Sequence, residues 1–205
     1  MNIEFDATLL AAVALAQSTD VSRYYLCGVY FDGQSAVATD GRVMTAARDI
    51  ESVNMTPGVI LPVSKKALAA LKKKTANRMR WSDSNGVLEV LDANDSVLHM
   101  EPAAIVNGTF PDWLRVVPRK MPGADMPDNT SAAFAPKVMQ HAVDVAKVLN
   151  ASGYRVTGTA DGGNLVRYAT GGDVFSVLYP IRFTDAPTEA PAWIFNTPAD
   201  TEQAA

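Results

Sequence analysis

The chain has 205 residues, which is long enough for one large or two small domains with a sizeable buried core. Its composition, 48% apolar and 20% charged, excludes a disordered protein, and its net charge of −4 excludes attraction of the whole molecule to phosphates. Any nucleic-acid contact therefore needs a local basic surface. Cys27 is the only cysteine, which excludes an internal disulfide and argues against an oxidising compartment.

The N-terminal apolar run, at about 7–17, is preceded by acidic residues and by no lysine or arginine. It therefore lacks the basic flank of a signal peptide, and it is too short to span a bilayer. We expect a cytoplasmic protein that does not contact membranes.

The first predicted unit is a short strand, a helix and three further strands. Asp6 is placed to cap the helix, because its carboxylate can accept hydrogen bonds from free backbone N–H groups. Asp32-Gly33 and Asp40-Gly41 predict tight turns, since glycine tolerates positive φ. The predicted helix is 7–17, and the predicted strands are 2–5, 24–31, 35–39 and 42–48.

The second predicted unit repeats this order. Ser64 can cap a helix that continues to about residue 74, with Leu68 and Leu71 on one face and lysines on the other. Asn85-Gly86 predicts another hairpin turn. The predicted strands are 58–61, 78–82, 87–91 and 96–101.

The third predicted unit follows a connector at 121–130 that contains Pro, Gly and Asp. Pro136 suits the first turn of a helix, whose apolar residues then recur at helical spacing. The predicted strands are 154–157, 164–168 and 174–181. After Phe183 comes a Pro- and acid-rich tail that is interrupted by Trp193-Ile194-Phe195.

Predicted helices that start near residues 7, 64 and 136 indicate three copies of one structural repeat, although a generic α+β protein could show this order by coincidence. Hairpin-connected strands favour antiparallel sheets that keep one face for helices and one for solvent. The predicted fold class is therefore α+β, with antiparallel sheets outside and helices on one face.

Several segments resemble the bacterial DNA polymerase sliding clamp, the beta subunit of DNA polymerase III, and they follow clamp order. They are RYYLCGVYF at 23–31, VATDGRVMTAA at 37–47, TFPDWLRVVP at 109–118 and FSVLYPIRF at 175–183. The resemblance implies a complete clamp-like domain of two units at 1–118, a connector at 119–133, half of a clamp-like domain at 134–183 and the tail at 184–205.

The chain also departs from this family. The family has three domains of two units each, so an N-terminal domain and half of the last domain have no counterpart here. Arg42-Val43-Met44 follows the Thr-Asp-Gly turn where the family continues His-Arg-Leu, which affects partner specificity. The first helix has no lysine or arginine, unlike clamp helices that face DNA.

Sliding clamps encircle duplex DNA without reading its sequence, through lysines and arginines that contact phosphates. The alternative is that the lysine-bearing helix faces are simply solvated and that the tyrosines pack within a strand. The resemblance and the basic helix faces together predict a set of DNA-binding residues: Arg23, Tyr24, Tyr25, Lys65, Lys66, Lys72, Lys73, Lys74, Arg78, Lys137 and Lys147.

The family also docks short partner motifs in a groove beside its C-terminal strand, where apolar walls adapt to several peptides. The alternative is that several of the matching residues are ordinary core. The positions that match this groove are Leu26, Thr39, Gly41, Arg42, Met44, Pro111, Arg115, Val116, Val177, Tyr179, Pro180, Ile181 and Arg182.

Enzyme chemistry has little support in the sequence. His99 and His141 show no metal-ligand spacing and are expected to be half-exposed structural residues. There is no Gly-rich phosphate loop, no Gly-x-Ser-x-Gly and no Cys–His pairing that could activate a nucleophile. We expect a protein that is not an enzyme and that needs no metal or cofactor.

Three function classes remain open at this point. The first is a small processivity clamp, of the kind a phage or mobile element would encode, that tethers a polymerase or other motif-bearing partners to DNA. The second is a clamp-derived adaptor or decoy that keeps the groove without encircling DNA, and the third is a small enzyme on the same fold. One chain cannot surround a duplex, so the first class requires a homo-oligomer. The family's ring has twelve helix-bearing units, which suggests four chains, with the third units of two chains pairing into a whole domain.

Overall fold

Two antiparallel sheets and three α-helices make up the part of the chain that the computed structural model describes, namely residues 2–33, 35–49, 58–118, 133–158, 163–170 and 173–180. The first unit consists of β1 (Asn2–Asp6), α1 (Ala7–Ala14), β2 (Val29–Asp32), β3 (Ser35–Thr39) and β4 (Val43–Arg48). Asp6 caps α1, because its carboxylate accepts a hydrogen bond from the Leu9 N–H at 2.8 Å.

The second unit follows the same order, and the third follows it from the helix onward. The second consists of β5 (Val59–Leu61), α2 (Lys65–Leu71), β6 (Ala76–Ser82), β7 (Val87–Asp92) and β8 (Val97–Pro102). The Ser64 hydroxyl caps α2 by accepting from the Lys66 and Ala67 N–H groups, both at 3.1 Å. The third consists of α3 (Pro136–Val148), β9 (Tyr154–Gly158), β10 (Asn164–Tyr168) and β11 (Asp173–Leu178).

The first two units exchange their first strands. One sheet has the order β1-β6-β7-β8, so the first strand of unit one pairs with the second unit. The other has the order β5-β2-β3-β4-β11-β10-β9, so the first strand of unit two pairs with the first unit. In this second sheet β4 pairs with β11, which joins the last strands of units one and three. Every unit is thereby held by strand pairing to another.

The main core lies between the sheets and the three helices. It contains Phe5 and Phe31, whose rings meet edge to face at 5.9 Å, and the fully buried Trp81, whose indole N–H donates to the Ala103 carbonyl at 2.8 Å. α1 contacts both α2 and α3, and most of its residues are buried. This position explains why α1 is apolar around its circumference, because it has little exposed surface on which to carry charge.

The predicted α+β class is confirmed, and one strand prediction is wrong at its start. Residues Val21–Leu26 form a 3₁₀ helix, and the strand begins only at Val29. The aromatic run favours a strand locally, but the Asp20 carboxylate accepts from the Ser22 N–H at 3.0 Å and so caps a helical turn. Both predicted helices of units one and two also end earlier than expected, at Ala14 and Leu71. None of the helices in the described ranges is long and apolar enough to cross a membrane.

Candidate functional sites

The first candidate site is a basic depression on the helical side, which we call the lysine groove. Its volume is about 910 Å³, and it lies where the C-terminal ends of α2 and α3 approach each other across α1. Thr8 of α1 lines it, as do apolar side chains at or just beyond the C-terminal ends of the three helices. The groove is defined by four exposed lysines from two units: Lys72, Lys73, Lys74 and Lys147.

The electrostatics of the lysine groove favour an anion. Lys147 Nζ lies 3.4 Å from an Asp144 carboxylate oxygen, which offsets part of its charge. Among the ion pairs of the described residues, none involves Lys72, Lys73 or Lys74. These three cations remain available to phosphates, and they also follow the end of α2, where the helix dipole favours positive charge.

The other predicted DNA-binding lysines lie away from this groove. Lys65 and Lys66 are exposed in the first turn of α2, at the opposite end of that helix. Lys137 is exposed at the start of α3, where it lines a separate cavity of about 700 Å³ together with Asp40 and Arg42. The predicted DNA-binding lysines therefore lie at both ends of the helical side and do not form one continuous patch.

Arg78 lies on the sheet face that points away from the helices. Its neighbours along β6, Met79 and Trp81, point into the core, so the strand alternation places Arg78 on the opposite face. There its guanidinium is 3.5 Å from Asp49 and 3.9 Å from Glu4. The structure does not bring Arg78 to the lysine groove.

Arg23, Tyr24 and Tyr25 lie on the 3₁₀ segment beside the β3–β4 turn. Gly41 has φ +88°, a backbone conformation that favours glycine, and the Arg23 guanidinium lies over it. Tyr24 is exposed, whereas Tyr25 packs against an apolar cluster on the outer side of the sheet. These residues border the second candidate site.

The second candidate site is the outer groove, on the face of the large sheet opposite the helices. Its floor is the outer apolar cluster: Leu26, Val37, Met44, Ala46, Ile60, Phe110 and Val177. The segment after β8 crosses this cluster, with the Phe110 ring stacked on Tyr30 at 4.8 Å and the Val106 N–H donating to the Ile60 carbonyl at 2.9 Å.

Several of the predicted peptide-binding residues lie at the outer groove, whereas Arg42 lines the separate cavity beside Lys137. Leu26, Met44 and Val177 are buried in its floor, as the core alternative expected. The β3–β4 turn forms one end, where the Thr39 hydroxyl accepts from the Gly41 N–H at 3.0 Å and the Arg42 carbonyl accepts from the Tyr179 N–H at 3.0 Å.

The exposed part of the outer groove comes from the crossing segment and from the end of β11. Pro111, Arg115 and Val116 are exposed, and Tyr179 and Pro180 are half-buried. The predicted contacts Ile181 and Arg182 lie outside the described residues. The accessible surface is therefore a polar and aromatic rim over a buried apolar floor.

An arginine-bearing extension of the outer groove was not predicted. A cavity of about 360 Å³ lies next to the floor, lined by Trp113 and Phe175 together with Arg48, Arg167 and Asp173. Arg167 is directly opposite Arg155 of β9, so both side chains share the outer face, and both are exposed. Only the strand register reveals this pair, because the loop between the two strands leaves their alignment undetermined by the sequence.

A buried polar chain joins the third unit to the first. His141 Nε2 is 2.7 Å from the Thr45 hydroxyl. The Ser176 hydroxyl in turn is 2.8 Å from the Thr45 hydroxyl and 2.9 Å from the Tyr168 hydroxyl. Burial lowers the pKa of His141 from 6.5 to about 4, with Asp40 and Asp144 opposing the shift, and burial raises the pKa of Tyr168. The expectation that His141 is half-exposed is wrong, because α3 turns it into the junction with β4 and β11.

His99 is half-buried, and its Nε2 lies 2.9 Å from a carboxylate oxygen of Glu101, which also accepts from the Ser64 hydroxyl at 2.6 Å. Within the described ranges, no three His, Cys, Asp or Glu side chains are grouped so as to hold a metal ion.

Comparison with known proteins gives a consistent result. No protein-family model matches the sequence. The chain is 32% identical over 127 residues to the beta sliding clamp of Caulobacter vibrioides, in a match that takes in 54% of this chain and 32% of the relative. The chain thus spans about a third of the length of that relative.

Solved structures with a similar fold are DNA polymerase III beta subunits. The Borrelia burgdorferi structure has a TM-score of 0.66 at 13% identity, covering 89% of this chain and 64% of its own. The Bartonella birtlesii structure has a TM-score of 0.62 at 18% identity, covering 89% and 66%, and the Thermotoga maritima structure has 0.59 at 15%, covering 90% and 66%. The chain is thus similar in sequence, over part of its length, to a bacterial beta sliding clamp, and it shares the fold of DNA polymerase III beta subunits.

Proposed function

We propose that this chain is a sliding-clamp-like processivity factor, a non-enzymatic protein that encircles duplex DNA as an oligomer and tethers a polymerase or other partners. The observation that carries the proposal is the lysine groove, in which lysines from two units converge on the helical side. Such contacts are electrostatic and independent of sequence, as a mobile ring requires. The acidic net charge of the whole chain is compatible with this, because the basic residues are concentrated locally.

We propose that residues 1–118 form one complete clamp-like domain and that residues 134–183 form half of another. In the first two units, the strand that follows the helix pairs with the first strand of the other unit. The equivalent strand of the third unit is β9, which pairs only with β10 among the described residues. A third unit from a second copy that pairs along this open edge of β9 would complete the domain.

Another open edge is that of β8. In the other two units the corresponding strands, β4 and β11, pair with each other, whereas β8 pairs only with β7 in the described part of the chain. Val97 and Met100 are exposed on β8, at 51% and 58%. If β8 pairs with β8 of one copy and β9 pairs with β9 of another, the two kinds of contact alternate around an oligomer. Four chains of three units then give the twelve units of the family's ring.

Sedimentation velocity at micromolar concentration should therefore show a species of about 88 kDa, which is four chains of 21.9 kDa. Replacing Val97 and Met100 with lysine should block the β8 edge and leave a dimer of about 44 kDa, since charged side chains oppose edge pairing and both positions are exposed. A wild-type protein that remains monomeric at this concentration would contradict the proposed assembly.

Topological tethering is the direct test of the clamp function. Protein assembled on nicked circular DNA should stay bound during gel filtration and should be lost when the circle is linearised, because a ring slides off free ends. The alternative function is an adaptor or decoy that uses only the outer groove, whose apolar floor and arginine rim suit a peptide. That alternative predicts no retention on either form of DNA.

A further inference from the structure

We propose that the acidic tail of this chain, residues 184–205, docks on its own outer groove and competes there with partner peptides. The proposal rests on the proposed role of the outer groove as a partner site, and it adds a regulatory occupant. The tail lies outside the described residues, so the argument depends on where the described chain ends, on charge and on side-chain type.

The described chain ends beside the outer groove, so the tail begins close to it. The last described residue is Pro180, and the preceding Tyr179 donates its N–H to the Arg42 carbonyl at 3.0 Å and packs against the outer apolar cluster. The chain therefore leaves the sheet at the groove itself. The residues between Pro180 and Trp193 can span at most roughly 40 Å when fully extended. That reach is sufficient for the tail to return across the same face.

Charge complementarity favours this docking. The tail carries four carboxylates and no lysine or arginine: Asp185, Glu189, Asp200 and Glu202. On the outer face, Arg155 and Arg167 are exposed and lie directly opposite each other on β9 and β10. Like charges in such a cross-strand pair repel, so an anionic segment placed over them relieves an unfavourable interaction.

The apolar part of the tail also matches the site. Trp193, Ile194 and Phe195 are adjacent large apolar residues in an otherwise polar and Pro-rich segment. The cavity of about 360 Å³ beside the groove floor is lined by Trp113 and Phe175 and has Arg167 on its rim. This cavity offers an aromatic anchor flanked by acids both an apolar wall and a cationic neighbour.

The test uses a fluorescent peptide of residues 184–205 as the probe and measures its anisotropy with two full-length proteins. One is the wild type, and the other carries Trp193→Ala and Phe195→Ala, which weaken the attached tail without altering any described element. The variant should bind the probe at least about tenfold more tightly than the wild type, because a tethered tail competes at a high effective concentration.

Two further substitutions, added to that variant, test the location. Arg167→Glu should weaken probe binding by about threefold or more, since it replaces an attraction with a repulsion. Lys72→Glu makes the same charge change in the lysine groove and should leave probe binding unchanged. A probe with the same composition in scrambled order should bind more weakly than the true tail.

The proposal is overturned if the double variant does not bind the probe, if wild type and variant bind it equally, or if Arg167→Glu has no effect. Cross-linking that joins tails only between chains would likewise overturn docking within one chain. Retention on nicked circles is a separate readout. If the protein is retained on nicked circles but does not bind the tail peptide, only the tail proposal is contradicted. If it binds the tail peptide but is not retained, only the clamp proposal is contradicted.

Discussion

Reversing the charge of the lysine groove should abolish retention on nicked circular DNA and lower the affinity for duplex DNA by about a hundredfold or more at low salt. The physical reason is counterion release, because each lysine that neutralises a phosphate frees a condensed cation. The slope of log affinity against log salt should fall by about one for each phosphate that is no longer neutralised. The substitutions are Lys72→Glu, Lys73→Glu, Lys74→Glu and Lys147→Glu, measured by fluorescence anisotropy on a short duplex between low and physiological salt.

The matched control places the same kind of charge change on the outer face. Arg155→Glu and Arg167→Glu alter two exposed cations on the side of the sheet away from the helices, so they should leave both the affinity and the salt slope nearly unchanged. The control reverses two charges and the lysine set reverses four, so losses of binding free energy in proportion to these numbers would mean that DNA responds only to net charge. An unchanged affinity after the lysine substitutions would place the DNA surface elsewhere, and Lys65, Lys66 and Lys137 would then be the next residues to test.

Acidification from pH 7 to pH 4 should destabilise the protein by about 3 kcal/mol through His141 alone. The pKa of this side chain is about 4 in the folded protein and 6.5 when exposed, so between these values the unfolded chain binds a proton that the folded chain does not. Stability from His141 is therefore complete above pH 6.5, falls as the pH drops through this window and changes little below pH 4. Urea unfolding across this range measures the effect.

The His141→Gln variant isolates this contribution. Glutamine keeps a polar group near the Thr45 hydroxyl but cannot become charged, so the difference in unfolding free energy between wild type and variant should depend on pH between 6.5 and 4. Parallel pH profiles for the two proteins would contradict the assignment. Because His141 joins α3 to β4 and β11, hydrogen exchange should rise first in β11 and α3 at low pH, while β7 stays protected.

The lysine groove shows which features of a binding surface the sequence can predict and which it cannot. All four of its lysines were predicted to bind DNA from their helices and from the family resemblance, and the structure brings them together across α1. Nothing in the sequence separates them from Arg78, because helix faces and strand faces carry the same residue types. The direction of the β6 side chains makes that distinction.

Four sequence segments carry the resemblance to sliding clamps. The order of elements and the α+β class could be predicted from the residues. They depend on local signals, such as the caps at Asp6 and Ser64, the glycine turns and the alternation of apolar residues, which act within a few positions along the chain. The strand exchange between units, the opposition of Arg155 to Arg167 and the burial of His141 needed the folded molecule. These features arise because strand register and helix packing follow from how the whole apolar surface is buried rather than from any local pattern.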